Sequence, residues 1–106
     1  MREPVRENVD RFENGSIDPK IDTAMDLIPP RALLAAGKTL FDGLKYEADK
    51  KDNWHGIPGG RHLNHALRHI AMYQAGDRDE DHLGHALVRL MFWVDLEIQV
   101  DPDAGH

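Results

Sequence analysis

The segment from residue 61 to residue 99 constrains the fold more than any other part of the chain. Apolar residues recur there with a helical period in two stretches, which a short polar turn joins. The phrase His-Leu-Asn-His-Ala-Leu at 62–67 returns as His-Leu-Gly-His-Ala-Leu at 82–87, with five of its six positions identical. The pattern predicts a helical hairpin, although so short a repetition does not require an ancestral duplication.

The last helix of this hairpin, helix 3, is predicted over residues 79–99 and is apolar almost all round. Its large apolar residues include Leu83, Leu87, Leu90 and Trp93. Such a helix must be buried on several sides. We therefore expect a central helix that helices 1 and 2 and a second subunit cover, with an acidic residue of the preceding turn as its N-cap.

Helix 2, predicted over residues 60–75, separates its leucines from its histidines. On a helical wheel one face carries Leu63, Ala66, Leu67, Ile70 and Ala71, and the nearly opposite stripe carries His62, His65 and His69. We expect the leucine face to pack in the core. The histidines are then expected to face solvent, a second subunit or a site. Gly76 is expected to end the helix as a C-cap glycine.

The remaining segments complete an all-α prediction. Helix 1 is predicted over residues 30–47, with Pro30 at its first position. Residues 1–28 are expected to form an extended, partly disordered tail, residues 48–60 a loop, and residues 100–106 a frayed end. The helical domain is thus 29–99. The predicted fold is a small bundle of three main helices, completed by oligomerisation.

Composition excludes several classes of function. The chain has 106 residues and no cysteine, which excludes disulfides, thiolate metal sites and a cysteine nucleophile. Its formal net charge is −6, so nucleic acid backbone is a poor partner. No apolar run is long enough to cross a bilayer. We expect a cytoplasmic protein without a membrane partner.

Histidine pairs at helical spacing are the first candidate for chemistry. His62 and His65 are three positions apart, as are His82 and His85, and His65 and His69 are four positions apart. Either spacing places two imidazoles on one helix face within reach of one ion. Aspartates at the start of helix 3 could add oxygen ligands. The candidate metal ligands are His65, Asp79, Asp81, His82 and His85. The alternative is that these histidines are inert surface or interface residues.

A second candidate set surrounds the loop between helices 1 and 2. It consists of Lys45, Tyr46, Asn53, Trp54 and Arg68. Lysine and arginine can contact phosphate, the aromatic rings can stack on a base, and asparagine can bind its edge. We predict that these residues line one cleft together with His69. The alternative assigns them ordinary roles, such as a Trp that plugs the end of the bundle and an Arg paired with a nearby acid.

The order and spacing of short motifs resemble one known family. The motifs are Asp26-Leu27-Ile28-Pro29, Lys45-Tyr46, Asn53-Trp54, Ala66-Leu67-Arg68-His69, Gly76-Asp77 and Asp79-Glu80-Asp81-His82-Leu83 with His85-Ala86. Over about residues 17–99 the chain resembles a phage-associated family described as dATP/dGTP diphosphohydrolase-like, N-terminal domain, formerly a domain of unknown function.

The resemblance implies a helical hydrolase in the style of the MazG-like pyrophosphohydrolases. Such enzymes hold divalent metal ions on helix carboxylates and usually act as dimers or tetramers. The resemblance implies that this chain, with Mg²⁺ or Mn²⁺, converts a purine deoxynucleoside triphosphate to the monophosphate and pyrophosphate. A phage-encoded member would work in the bacterial cytoplasm. The chain does not carry the paired Glu-x-x-Glu and Glu-x-x-Asp helical motifs of that wider group. A non-catalytic module that binds a nucleotide or a host protein therefore remains the alternative.

The mechanism expected from these residues is metal-assisted attack of water on phosphorus. Asp79 or Asp81, with His82 or His85, would hold the ion, and His69 would act as general base or orient the attacking water. Arg68 and Lys45 would neutralise the remaining phosphate charge. On this expectation, alanine at the catalytic residues Asp81 or His69 lowers turnover about a hundredfold.

Overall fold

The computed structural model describes residues 8–47 and 51–98, and it confirms the predicted all-α architecture. Two short strands, β1 (Val9–Arg11) and β2 (Ile17–Pro19), precede the helices α1 (Pro30–Glu47), α2 (Gly59–Gln74) and α3 (His82–Glu97). Single 3-10 turns lie at Met25–Leu27 and Asn53–Gly56. The predicted frayed end at 100–106 and the first seven residues of the predicted tail lie outside the described residues.

The predicted tail contains an antiparallel hairpin that the sequence analysis did not anticipate. Val9 pairs with Pro19 and Arg11 with Ile17. Gly15 takes a φ of 89° in the turn, a conformation that favours glycine. The Asn14 side chain accepts a hydrogen bond from the Ser16 backbone N–H at 2.9 Å, a local turn contact that asparagine favours. A hairpin of this length is marginally stable by itself, because it buries little apolar surface.

Helix α3 is central, as predicted, because it packs against both α2 and α1. The Asp81 carboxylate caps its N-terminus by accepting the Gly84 backbone N–H at 3.0 Å. The other carboxylate oxygen accepts the Thr39 hydroxyl of α1 at 2.9 Å. A Cβ atom on Gly84 would overlap both the carboxylate and that hydroxyl, so the glycine permits the close approach of α1.

Helices α2 and α3 run antiparallel. Gly59 at the start of α2 lies against Trp93 near the end of α3, where a Cβ atom would come within 2.7 Å of the indole Cδ1. Further along α2, His69 contacts His82 at the start of α3. Gly76 ends helix α2 with a φ of 98°, which confirms the predicted glycine C-cap. None of the described helices has the length and apolarity needed to cross a membrane.

The buried interior consists of small and polar side chains. Its apolar members are Ala36, Ala66, Ala86 and Val88, and its polar members are Thr39, His62 and His82. Much larger apolar side chains on α1 and α3 are at least 40% exposed, among them Leu34, Phe41, Leu83 and Val94. Packing within one chain therefore leaves many large apolar side chains of the helices exposed.

The predicted orientation of α2 is wrong. His62, expected away from the core, is fully buried, whereas Leu67, expected in the core, is 55% exposed. Relative to the prediction, the buried face is rotated by roughly a quarter turn about the helix axis, towards the histidines. The physical reason is that the imidazoles find hydrogen-bond partners inside the chain, which removes the usual cost of burying a polar ring.

Candidate functional site: two histidine clusters and a cleft

Three ligand-type atoms converge where α2 passes the start of α3. His69 Nδ1 lies 2.9 Å from His82 Nδ1. The Glu80 Oε1 atom lies 3.4 Å from each of these two nitrogens. His82 is buried, His69 is mostly buried and Glu80 is about half exposed. Two imidazoles and a carboxylate thus face one another at the edge of the protein and could hold a metal ion.

The turn between α2 and α3 fixes the orientation of His82. Asp77 Oδ2 lies 3.0 Å from His82 Nε2, and Asp77 Oδ1 accepts the Asp79 backbone N–H at 2.9 Å. Arg78 stabilises the same turn, because its Nη1 donates to the Tyr73 carbonyl at 2.8 Å and its guanidinium stacks over the Tyr73 ring. A carboxylate can only accept, so His82 Nε2 carries a proton, and Nδ1 of the neutral ring presents its lone pair to His69.

The surroundings of the cluster favour the forms that a cation would need. Burial, followed by the neighbouring His85, lowers the pKa of His69 below its ordinary value, although Glu80 opposes this shift. The Asp79 backbone N–H and the His82 side chain lower the pKa of Asp77. An imidazole with a lowered pKa is neutral near neutral pH and has one nitrogen lone pair. His69 Nδ1 donates to His82 Nδ1 in this arrangement, so a cation would require the His69 proton on Nε2 instead.

A second histidine cluster links the loop before α2 to α3. The fully buried His62 donates from Nε2 to the Trp54 carbonyl at 3.1 Å and accepts at Nδ1 from Arg89 Nη1 at 3.0 Å. A carbonyl only accepts and a guanidinium only donates, so these partners select one neutral tautomer of His62. Burial lowers the pKa of Arg89, which nevertheless remains a cation.

The two clusters are related by the offset of twenty residues that separates the repeated phrases. His62 on α2 contacts Arg89 on α3, and His82 on α3 contacts His69 on α2. His82 lies twenty residues after His62, and His69 lies twenty residues before Arg89. The first histidine of each repeated phrase, His62 on α2 and His82 on α3, is thus buried and faces the other helix.

A cleft of about 700 Å³ lies between α1, the 3-10 turn before α2, and α3. Its walls are mostly apolar. Its lining residues are Gly37, Thr39, Leu40, Phe41, Gly43, Leu44, Lys51, Asp52, Asn53, Trp54, Ile57, His85, Val88, Arg89 and Phe92. The volume and the few polar groups among apolar walls are typical of pockets for small organic ligands.

The cleft adjoins both histidine clusters. Arg89, which contacts His62, lines it directly. His85 also lines it, and the His85 ring stacks on the His69 ring with centroids 5.1 Å apart. One imidazole therefore separates the cleft from the group formed by His69, Glu80 and His82.

Trp54 forms one end of the cleft and is already stacked. The Phe92 ring lies parallel to the indole at a centroid distance of 4.3 Å, and the His55 ring lies 3.8 Å away. Two rings at these distances cannot share one face of the indole, so they cover opposite faces. His55 is exposed, which makes its face of Trp54 the one that a flat ligand could reach.

Only some of the residues that were predicted to line one cleft lie in it. Asn53 and Trp54 are in the cleft. Lys45 lies on the exposed face of α1, 4.0 Å from the Asp42 carboxylate, and Arg68 is exposed on α2. His69 lies in the group with Glu80 and His82 and does not line the cleft. The Tyr46 side chain lies outside the described residues.

Of the predicted metal ligands, His82 alone lies in the group of converging donor atoms found among the described residues. His82 is in the converging group, but the other members of that group are His69, predicted as a base, and Glu80, which was not predicted to be a ligand. Asp81 uses both carboxylate oxygens to cap α3 and bind Thr39. His85 stacks on His69 and lines the cleft. Ligand roles for Asp79, Asp81, His65 and His85 stay predictions.

Sequence reasoning also missed Asp77, Arg89 and Phe92 as parts of the site. The acidic turn at 77–81 was recognised as a cap, but its spacing does not reveal which carboxylate turns towards the imidazoles. Arg89 and Phe92 follow His82 and His85 at helical spacing, on one flank of helix 3. That flank is the signal that could have identified them.

The comparisons with known proteins give one family. Neither the curated proteins nor the solved structures include a match to this chain. A family profile matches residues 13–104, a span that includes the described cleft and both histidine clusters. The match confirms the resemblance seen in the short motifs. Since it covers most of the chain, the protein belongs to the family described as dATP/dGTP diphosphohydrolase, N-terminal.

Proposed function

We propose that this protein binds a purine deoxynucleoside triphosphate in the cleft and hydrolyses it to the monophosphate and pyrophosphate, with a divalent cation. The observation that carries the proposal is the composition of the cleft wall, which includes the Trp54 indole and also His85, whose ring stacks on His69. The family match supports a relation to diphosphohydrolases. The activity of this chain is our proposal.

The base is proposed to bind on the outer face of Trp54. The exposed His55 ring now covers that face, so a purine would replace it and stack on the indole. Asn53 lies next to Trp54 in the lining and offers both a donor and an acceptor to the base edge. The inner face of the indole keeps its contact with Phe92, which holds the ring in place.

The phosphates are proposed to bind along the α3 side of the cleft. Arg89 uses Nη1 to contact His62, and its guanidinium has further N–H donors for phosphate oxygens. Lys51 also lines the cleft and adds a second positive charge. These two residues lie closer to the cleft than Lys45 and Arg68, to which the sequence analysis gave this role.

A proton must leave the attacking water as the bond to the α-phosphorus forms and the bond to pyrophosphate breaks. His85 is proposed to accept it, because it lines the cleft, whereas His69 lies behind it. A divalent cation neutralises phosphate charge and lowers the pKa of bound water. Asp52 in the cleft is the carboxylate that would hold a nucleotide-bound Mg²⁺ or Mn²⁺.

The test is incubation of the protein with each deoxynucleoside triphosphate and Mg²⁺ or Mn²⁺, followed by separation of the products. We expect monophosphate and pyrophosphate from the purine nucleotides. His85→Ala should lower turnover about a hundredfold, the usual scale for losing acid–base catalysis. Asn64→Ala is the matched control, because Asn64 is an exposed residue of α2 away from the cleft. Release of inorganic phosphate alone, or full activity of His85→Ala, would contradict the proposal.

Nucleotide binding without turnover is the second candidate. The observation that favours it is that α2 contains no carboxylate, so the α2–α3 pair lacks the facing acidic motifs of MazG-like enzymes. Isothermal titration calorimetry with dATP or dGTP, together with the product assay, distinguishes the two functions. Binding that Trp54→Leu abolishes, with no product from the unmodified protein, would support the binding module over the enzyme.

A further inference from the structure

The donor atoms of His69, Glu80 and His82 have the separations found in a tetrahedral metal site. Zinc binds nitrogen and oxygen ligands at about 2.0–2.1 Å, which places neighbouring donor atoms of a tetrahedron about 3.3 Å apart. Here the nitrogens are 2.9 Å apart, and each lies 3.4 Å from the carboxylate oxygen. Small movements of the exposed Glu80 side chain would bring all three donors to ligand distance.

Asp77 supplies the outer contact that a metal-binding histidine usually has. Histidine ligands commonly donate their second ring N–H to a carboxylate, which fixes the tautomer and makes the other nitrogen a better ligand. His82 Nε2 has this contact with Asp77 at 3.0 Å, and the Asp79 backbone N–H holds Asp77 from the other side. The orientation of the buried His82 is therefore set by groups outside the cluster.

The partners of the two buried histidines on α2 and α3 give a second observation. At the first cluster, Nδ1 of His62 faces the cationic guanidinium of Arg89. At the other cluster, Nδ1 of His82 faces a second imidazole and a carboxylate. Within the part of the chain that the structure describes, the Glu80 carboxylate is paired with these imidazoles and with no lysine or arginine. One cluster thus contains a cation, and the other presents the ligands for one.

We propose that His69, Glu80 and His82 bind one transition-metal ion of the zinc type, with a fourth position left for water or a phosphate oxygen. Two imidazoles and one carboxylate favour Zn²⁺ or Co²⁺ over Mg²⁺, which prefers six oxygen ligands. The site is distinct from the Mg²⁺ or Mn²⁺ that accompanies the nucleotide in the proposed reaction. It goes beyond the proposed function, because it requires neither nucleotide binding nor hydrolysis.

The test uses the full chain, without a purification tag, after removal of metal with EDTA. Co²⁺ is added first, because a four-coordinate Co²⁺ site absorbs intensely in the visible region, and Zn²⁺ is then added to displace it. We expect one Co²⁺ per chain and loss of the absorption when Zn²⁺ is added. A large excess of Mg²⁺ should leave the absorption unchanged.

Three variants locate the ion. Glu80→Gln, at an exposed residue, should weaken Co²⁺ binding about tenfold or more. Asp77→Asn should weaken it about 10- to 100-fold by removing the outer contact to His82. Asp79→Asn is the matched control, because it changes a neighbouring carboxylate outside the converging group, and should bind as the unmodified protein does. His82 is not replaced, because a change at so buried a residue would test folding.

The proposal is overturned if the unmodified protein gives no four-coordinate Co²⁺ spectrum. It is also overturned if Glu80→Gln binds Co²⁺ as tightly as the unmodified protein, since the metal would then be bound by other histidines. Circular dichroism of each variant establishes that the helices are intact. Metal binding is measured without nucleotide, so its failure and the failure of the proposed hydrolysis are separate results.

Discussion

Gly84 is the one position at which the two repeated phrases differ. Its counterpart Asn64 is exposed on α2 and has room for a side chain. On α3 the same position lies under Thr39 and beside the Asp81 carboxylate, where even a Cβ atom would overlap both. The difference therefore has a local cause, because only α3 is crossed closely by α1 at this point.

Gly84→Ala is predicted to destabilise the fold despite the better helix propensity of alanine. Alanine in a helix interior is favoured by about 1 kcal/mol. The added methyl group, however, would separate the Asp81 cap from Thr39, and overpacking of this kind costs about 1–3 kcal/mol. Thermal unfolding followed by circular dichroism should show a lower midpoint than in the unmodified protein.

Gly37→Ala is the matched control for this prediction. Gly37 also lies inside a helix, and a Cβ atom there meets nothing within 4 Å. This variant should be unchanged or slightly more stable. If Gly84→Ala unfolds at the same temperature as Gly37→Ala, the close contact between α1 and α3 is not as the structure describes it.

Among the elements, α2 shows how far the sequence predicts this fold. Its helical period, its glycine C-cap and its pairing with α3 follow from local pattern, and so do the existence of α1 and α3. Its buried face does not follow, because burial of His62 depends on the Trp54 carbonyl and Arg89, which are distant in sequence. Local periodicity ranks leucine above histidine for the core, and tertiary hydrogen bonds reverse that order here.

The candidate site was predictable to a similar extent. The segment, the histidines and the acidic turn could be recognised from residue types and spacing. The choice of Glu80 over Asp79 and Asp81 could not, because it depends on the path of a five-residue turn. Once Asp81 caps α3, its carboxylate faces Gly84 and Thr39, and Glu80 is the carboxylate left facing the imidazoles.

The partly buried His65 of α2 predicts how stability depends on pH. Burial, followed by the charges of Arg89, Arg61, Arg68 and His62, lowers its pKa in the folded protein. Between that lowered pKa and the unfolded value of about 6.5, the unfolded chain binds a proton that the folded chain excludes. Stability should therefore fall as pH drops below about 6.5 and should gain nothing from His65 above it.

Urea unfolding at pH 5.0 and pH 7.5, in EDTA to exclude metal, measures this effect. His65→Gln should show a smaller loss of stability at the lower pH than the unmodified protein. His55→Gln is the control, because His55 is exposed in the 3-10 turn before α2 and should leave the difference between the two pH values unchanged. Equal losses in all three proteins would show that His65 does not carry the pH dependence.

At the scale of the whole molecule, the main feature is the contrast between the small buried interior and the large apolar surface. In the described residues the buried apolar side chains are three alanines and one valine, whereas leucines and a phenylalanine lie outside. Small domains bury little apolar surface to offset the entropy of folding, and this chain also leaves many of its large apolar side chains exposed. Exposed apolar side chains such as Leu83, Met91 and Val94 extend along α3, which helices α1 and α2 only partly cover.

We therefore predict that the protein is a homodimer or a higher oligomer, formed through the uncovered side of α3. A second copy fits this surface best, because a twofold interface pairs like surfaces, and an apolar stripe on a helix is self-complementary. Sedimentation velocity at micromolar concentration should give a species at least twice the 12.0 kDa of one chain. Val94→Glu should shift it towards the monomer, since an unpaired carboxylate would be buried at the interface. Gln74→Glu adds the same charge at an exposed position on α2 and should leave the assembly intact. A monodisperse monomer in the unmodified protein would contradict the prediction.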